Sequence, residues 1–162
     1  MTNQRVLVVA SHPDDEILGL GGTLARHADN GDIVRSMILA EGATSRDDTR
    51  DTAARRDELA ELVQAAKQAA NALGLDAPEM LGMPDNRMDS LPLLDVIKPI
   101  EHVVRAFQPH VVYTHHGGDL NVDHQVTHQA VMTACRPLPG STIEAIYAFE
   151  TVSSTEWATE ST

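Results

Sequence analysis

Val6-Leu7-Val8-Val9-Ala10-Ser11-His12-Pro13-Asp14-Asp15-Glu16 joins five consecutive apolar residues to an imidazole and three carboxylates. The apolar run has no polar alternation and reads as a strand buried on both faces, as in the middle of a parallel sheet. The charged cluster falls at the strand's carboxyl end, where open α/β sheets bind ligands. Crowded carboxylates repel one another and resist desolvation, so this cluster is costly to fold around unless a cation or a reaction uses it. A second polar cluster, His115-His116-Gly117-Gly118-Asp119-Leu120-Asn121-Val122-Asp123-His124, follows the apolar run Val111-Val112-Tyr113-Thr114. Together the two predict a metal site assembled from two strand ends.

Outward from these clusters the pattern alternates. A helix is predicted from Ile17 to about Ala28 with Gly31 as its stop, then a strand from Ile33 to Ala40 and a polar loop from Glu41 to Thr49. Thr52 to Leu73 keeps helical spacing through Leu59, Leu62, Val63, Ala66 and Ala70, with Gly74 beyond its end. Met80-Leu81-Gly82 reads as a short strand and Met83 to Arg87 as a loop. Ser90 is placed to cap a helix starting near Leu91-Pro92, which Pro99 should kink or divide. A helix from Val122 or Asp123 to Ala134 and a strand from Ile143 to Phe149 complete the series, and Thr151 to Thr162 reads as loosely ordered or a cut edge. Strands separated by helices imply βαβ units, hence a Rossmann-like three-layer αβα sandwich on a mainly parallel sheet. The expectation is a single domain over residues 1–162.

Composition bounds the function. With 162 residues, 42% hydrophobic and 22% charged, the chain is an ordinary soluble globular domain, and 3% aromatics make its core aliphatic. A formal net charge of −12 disfavours nucleic-acid backbones and anionic membranes as partners. One cysteine, Cys135, leaves no internal disulfide and reads as a packed apolar residue. No signal-peptide pattern opens the chain and no apolar run suits a membrane span, so the expected location is cytoplasmic.

The clusters have definite chemistry. His12 and Asp15 sit three apart across a proline-fixed turn, so both can converge on one point while Asp14 is aimed elsewhere. Adding His124 makes two imidazoles and a carboxylate, a set common to catalytic zinc sites that keep a position open for water. Zinc lowers the pKa of such a water to about 7, and an adjacent carboxylate that is not a ligand removes its proton. Asp14 is the candidate. The plain alternative is a capped loop, with Asp14 or Asp15 serving only the following helix. Gly19-Leu20-Gly21-Gly22-Thr23 lacks the full G-x-G-x-x-G pattern at the strand–helix turn, so it reads as a close-packing surface rather than a phosphate loop.

At these residues the chain resembles the LmbE-like/PIG-L family of zinc-dependent N-deacetylases, which join (A/S)HPDDE to a downstream DH on a Rossmann-like sheet. Ser11 to Glu16 and Asp123-His124 match, as do Gly21-Gly22-Thr23, an R-x-x-E element at Arg55 to Glu58, and Gly82-Met83-Pro84-Asp85. The resemblance implies His12, Asp15 and His124 as metal ligands, Asp14 as general base, Glu16 as structural, Arg55 as a substrate contact and Asp85 as lining the site. It implies Zn2+ as cofactor, with Fe2+ the other candidate ion. The implied reaction is removal of the N-acetyl group from an N-acetylglucosamine-type amino sugar or conjugate. Homo-oligomers occur among such proteins and are the other partner expectation.

Two features depart from the family. Many members carry H-x-x-H, whose first His stabilises the oxyanion; here that position is Asn121, which donates a hydrogen bond but delivers no proton. His116 or His115 is the candidate replacement, or Asp14 returns the proton it takes. Members are also longer, so the expected domain lacks their C-terminal portion. Two rivals follow: a non-catalytic metal- or sugar-binding module, and a non-haem iron enzyme using the same two-His-one-carboxylate set.

Overall fold

The computed structural model describes residues 3–152 and 154–157. Five strands, β1 (Arg5–Ala10), β2 (Ile33–Ala40), β3 (Glu79–Met83), β4 (Val111–His115) and β5 (Ala145–Phe149), form one parallel sheet in the order β3-β2-β1-β4-β5. Helices α1 (Asp15–Asp29), α2 (Arg56–Ala72), α3 (Leu93–Phe107) and α4 (Val122–Ala134) connect them in turn. The chain moves outward from β1 through β2 to β3, then returns to place β4 on the other side of β1. That reversal makes the carboxyl ends of β1 and β4 the switch point at which ligand crevices open.

β1 is central and buried on both sides, which is why its sequence does not alternate. Leu7 and Val9 enter the core beneath α3 and α4, with Met37, Leu39, Ile100 and Val112. Val6, Val8 and Ala10 enter the opposite core with Leu20 and Leu24 of α1. β1 pairs with both neighbours, Val6 opposite Val34 on β2 and Val111 on β4. Gly19 lets α1 approach β5: a Cβ there would fall 2.4 Å from Phe149. Gly21 and Gly22 meet no such restriction.

Several expected boundaries move. α1 begins at Asp15, so the second Asp and the Glu of the motif form its first turn, where the helix dipole favours carboxylates. α2 begins at Arg56 rather than Thr52, because Asp51 folds the preceding segment by accepting the N–H groups of Ala53 and Ala54, both at 3.0 Å. Ser90 does not cap α3; its hydroxyl donates to the Arg87 carbonyl at 2.6 Å, and Pro92 takes the cap position. Pro99 does not divide α3, because Val96 and Ile97 before it and Ile100 and Val103 after it are buried on the same core. Cys135 is buried, which pushes its thiol up to about 12, consistent with apolar packing. Among the described residues no helix is long and apolar enough to cross a membrane. The tail is described only as far as Trp157, without Ser153, and Trp157 is exposed.

Candidate metal centre

The chain turns tightly after β1, with the His12 carbonyl accepting the N–H groups of Asp14 (2.9 Å) and Asp15 (3.3 Å). Pro13 packs on Gly42, which has φ +81°, and a Cβ there would come 2.6 Å from the proline ring. Asp14 occupies the N-cap position of α1 but makes no side-chain capping bond. A merely structural turn would have used that carboxylate. Asp15 folds inward instead, its Oδ2 accepting the His12 N–H at 2.8 Å.

Three donor atoms meet there. His12 Nδ1 and His124 Nε2 each lie 3.2 Å from Asp15 Oδ2 and 3.3 Å from each other. A tetrahedral ion with its ligands at about 2.0–2.1 Å separates them by about 3.3 Å, so the triangle has the right size for zinc. The outer face of each ring sets its tautomer. His12 Nε2 faces Asp123 (3.1 Å) and Asp85 (3.3 Å), and His124 Nδ1 faces Asp119 (3.1 Å). Carboxylates only accept, so those nitrogens carry the protons and both lone pairs point inward at Asp15. Two lone pairs and a carboxylate oxygen at contact distance repel unless a cation lies among them.

With no metal that cation is a proton. Burial alone would lower the His12 pKa, but the Asp123, Asp15 and Asp85 carboxylates overcome it and hold the ring up at about 11. Burial would likewise raise Asp15; the imidazoles of His115, His12 and His124 facing it hold it well below the usual carboxylate range.

His12, Asp85 and Asp123 form a second group of close potential donors. Both carboxylates are already engaged by the chain. Asp123 accepts the N–H groups of Asn86 (2.6 Å) and Met88 (2.9 Å), and Asp85 accepts those of Ser45 and the Asn86 side chain. This second group is the outer support of His12, and it clamps the loop after β3 against α4.

His12, Asp14, Asp15, Asp85, Asn121 and His124 line one cleft of about 290 Å³. Asn121 caps α4, its Oδ1 accepting the Asp123 N–H at 2.9 Å, which leaves its amide Nδ2 for a ligand. Burial first, then the charge of Asp15, raises the Asp14 pKa against the pull of His12 and His124.

His116 and Arg55 are placed elsewhere. His116 is exposed and its Nδ1 accepts the Gly118 N–H, so it does not stand where the missing imidazole was expected. His115 does not stand there either: it is fully buried and stacks beneath His124, with ring centroids 3.8 Å apart. Its Nε2 faces both the Ser11 N–H at 2.9 Å and Asp15 Oδ2 at 3.3 Å, while Nδ1 is without a partner among the described residues. Arg55 pairs with Asp47 (2.7 and 2.9 Å) and Glu58 (2.9 Å), and Arg46 is the arginine that lines the cleft. Sequence reasoning gave no role to Asp119 or Asp123. The alternation Asp119-x-Asn121-x-Asp123 is their one local signal, since each side chain of the first two accepts the N–H two residues on, a pair of Asx turns.

Glu16 has a separate consequence. It is buried, Oε2 has no partner among the described residues, and burial with the neighbouring charges of Asp15 and Asp14 lifts its pKa from 4.5 to about 7. Between those values the folded protein holds a proton that the unfolded chain has lost, so stability falls as pH rises across that window. In chelated protein Glu16→Gln is therefore expected to add roughly 1–3 kcal/mol near pH 8 and little near pH 4. Denaturant titration at the two pH values measures it, and an equal effect at both contradicts it.

The protein-family model described as PIG-L, GlcNAc-PI de-N-acetylase, matches residues 7–135. An uncharacterised deacetylase of Escherichia coli is 32% identical over 83% of this chain and 69% of its own length. A 1D-myo-inositol 2-acetamido-2-deoxy-alpha-D-glucopyranoside deacetylase of Mycobacterium sp. is 32% identical over 80% of this chain. This chain spans about half of that relative, 49% of its length. Among solved structures, the 4-carboxy-2-hydroxymuconate hydratase of Pseudomonas putida superposes with a TM-score of 0.72 at 26% identity, covering 98% of this chain and 71% of the other.

Proposed function

The chain belongs to the PIG-L family of GlcNAc-PI de-N-acetylases, and from that premise we propose that it is a zinc-dependent hydrolase removing the N-acetyl group of an N-acetylglucosamine-type amino sugar or conjugate. The observation that carries the reading is the triangle of His12 Nδ1, Asp15 Oδ2 and His124 Nε2, with an uncapped Asp14 beside it. Fold alone does not choose the reaction, because a hydratase shares it.

His12, Asp15 and His124 would hold the ion, with Asp85 and Asp123 orienting the His12 ring. When bound, the ion supplies Lewis acidity, lowering the pKa of a water and polarising the amide carbonyl. Asp14 takes the water's proton. With His115 buried and His116 outside the cleft, the same Asp14 delivers that proton to the departing amine. Asn121 Nδ2 donates to the oxygen on which negative charge develops. The products are acetate and the free amino sugar.

Zinc-loaded protein is expected to release acetate from N-acetylglucosamine or its inositol conjugate, to lose that activity on chelation, and to regain it when zinc is restored. Absence of hydrolysis by both zinc- and iron-loaded protein across N-acetylated sugars overturns the proposal.

A further inference from the structure

The carboxylate of Asp119 is 1% exposed, yet four groups from three parts of the chain converge on it. Oδ1 accepts the Asn121 N–H at 2.8 Å. Oδ2 faces His124 Nδ1 at 3.1 Å and accepts the hydroxyls of Ser154 (3.0 Å) and Thr155. Ser154 Oγ also lies 3.3 Å from His124 Nδ1. The oxygen that faces the ring, Oδ2, is thus also held by two hydroxyl donors that follow β5, over thirty residues away in sequence. A buried carboxylate with that many partners holds its position, and the ring that donates to it is held with it.

We propose that Asp119 is the positioning residue for His124, and that Ser154 and Thr155 complete the centre by holding Asp119. This rests on the reading of His124 as a cation ligand. With Nδ1–H committed to Asp119, the Nε2 lone pair faces Asp15 Oδ2 at 3.2 Å. In Asp119→Asn the amide oxygen remains the acceptor for the Asn121 N–H, and the NH2 group turns toward His124. Facing a donor, Nδ1 gives up its proton to Nε2, which places a hydrogen where the lone pair belongs. Ser154 and Thr155, in an unremarkable stretch of sequence, thereby acquire a part in the metal centre.

The test measures zinc affinity of the full chain by competition with a chromophoric chelator, for wild type, Asp119→Asn, Ser154→Ala and Thr155→Val, with circular dichroism as the check on folding. Nitrogen-15 NMR of the histidine rings in the chelated proteins reports the tautomer. Asp119→Asn is expected to weaken zinc binding by about 10–100-fold and to move the His124 proton from Nδ1 to Nε2. Ser154→Ala and Thr155→Val should each weaken binding by a smaller factor, about two- to tenfold. A folded Asp119→Asn that binds zinc as wild type does, with the proton still on Nδ1, overturns the inference. If that variant does not fold, the two hydroxyl variants decide, and unchanged affinity in both overturns it. Wild type that takes up no zinc contradicts the metal reading itself, an outcome read separately from the comparison among variants.

Discussion

Asp15→Asn is expected to strip the protein of its cation, weakening zinc binding hundredfold to thousandfold. The size follows from sharing the about 10–16 kcal/mol of a four-ligand zinc site among its ligands, roughly 3 kcal/mol each. It follows also from position. Asp15 Oδ2 is the vertex common to both imidazoles, 3.2 Å from each, and it accepts the His12 N–H as well. An Asn oriented to keep that backbone bond offers a neutral oxygen in place of an anionic one. Oriented the other way, it points an NH2 group into the space the ion needs. Both orientations leave two inward lone pairs without their anionic partner. Equilibrium dialysis followed by metal analysis reads the loss directly, and zinc retained at wild-type affinity would remove Asp15 from the ligand set. Without metal the same change removes one of the three carboxylates holding His12 up at about 11, so the apo protein also releases that proton at lower pH.

Strand order explains why two motifs more than a hundred residues apart make one site. β4 pairs with β1 in parallel, Val9 opposite Thr114, so the residues following the two strands emerge side by side at the switch point. That much is legible in the sequence, because a strand without alternation declares burial on both faces, and a charged turn after it declares the ligand end. His12, Asp15 and His124, whose donor atoms the structure brings within 3.3 Å of one another, are candidates in the sequence for the same reason: their chemistry is local to the strand ends.

The surrounding layer was not legible, and the reason is physical. Hydrogen bonds such as Ser154 to Asp119 or Asn86 N–H to Asp123 join loops whose separation obeys no periodicity. Nothing in the spacing says that Asp85 and Asp123 share His12, which depends on where β3 ends beside β2. Arg55 is a different case. The motif points it at substrate, while in the structure Asp47 and Glu58, close along the chain, take three of its five N–H donors. Pro99 misled in another way, since burial on both sides of it outweighs one missing hydrogen bond in α3.

Asp14→Asn should separate chemistry from metal binding: kcat falls by about 10²–10⁴-fold while zinc affinity stays near that of wild type. Asp14 is adjacent to the ligand Asp15 but takes no part in the donor triangle, and no capping bond restrains its side chain. Asn has nearly the same shape and cannot accept a proton, so the cleft is preserved and the base is lost. The pH dependence adds a second readout. A base acts only when deprotonated, so wild-type kcat/KM rises with pH along an acid limb that reports the Asp14 carboxyl; burial and the Asp15 charge raise that pKa in the ion-free protein, and a bound cation beside it pulls the other way. In Asp14→Asn that limb should vanish along with the rate. A variant that keeps wild-type kcat, or keeps the acid limb unchanged, would assign the base to another group of the cleft.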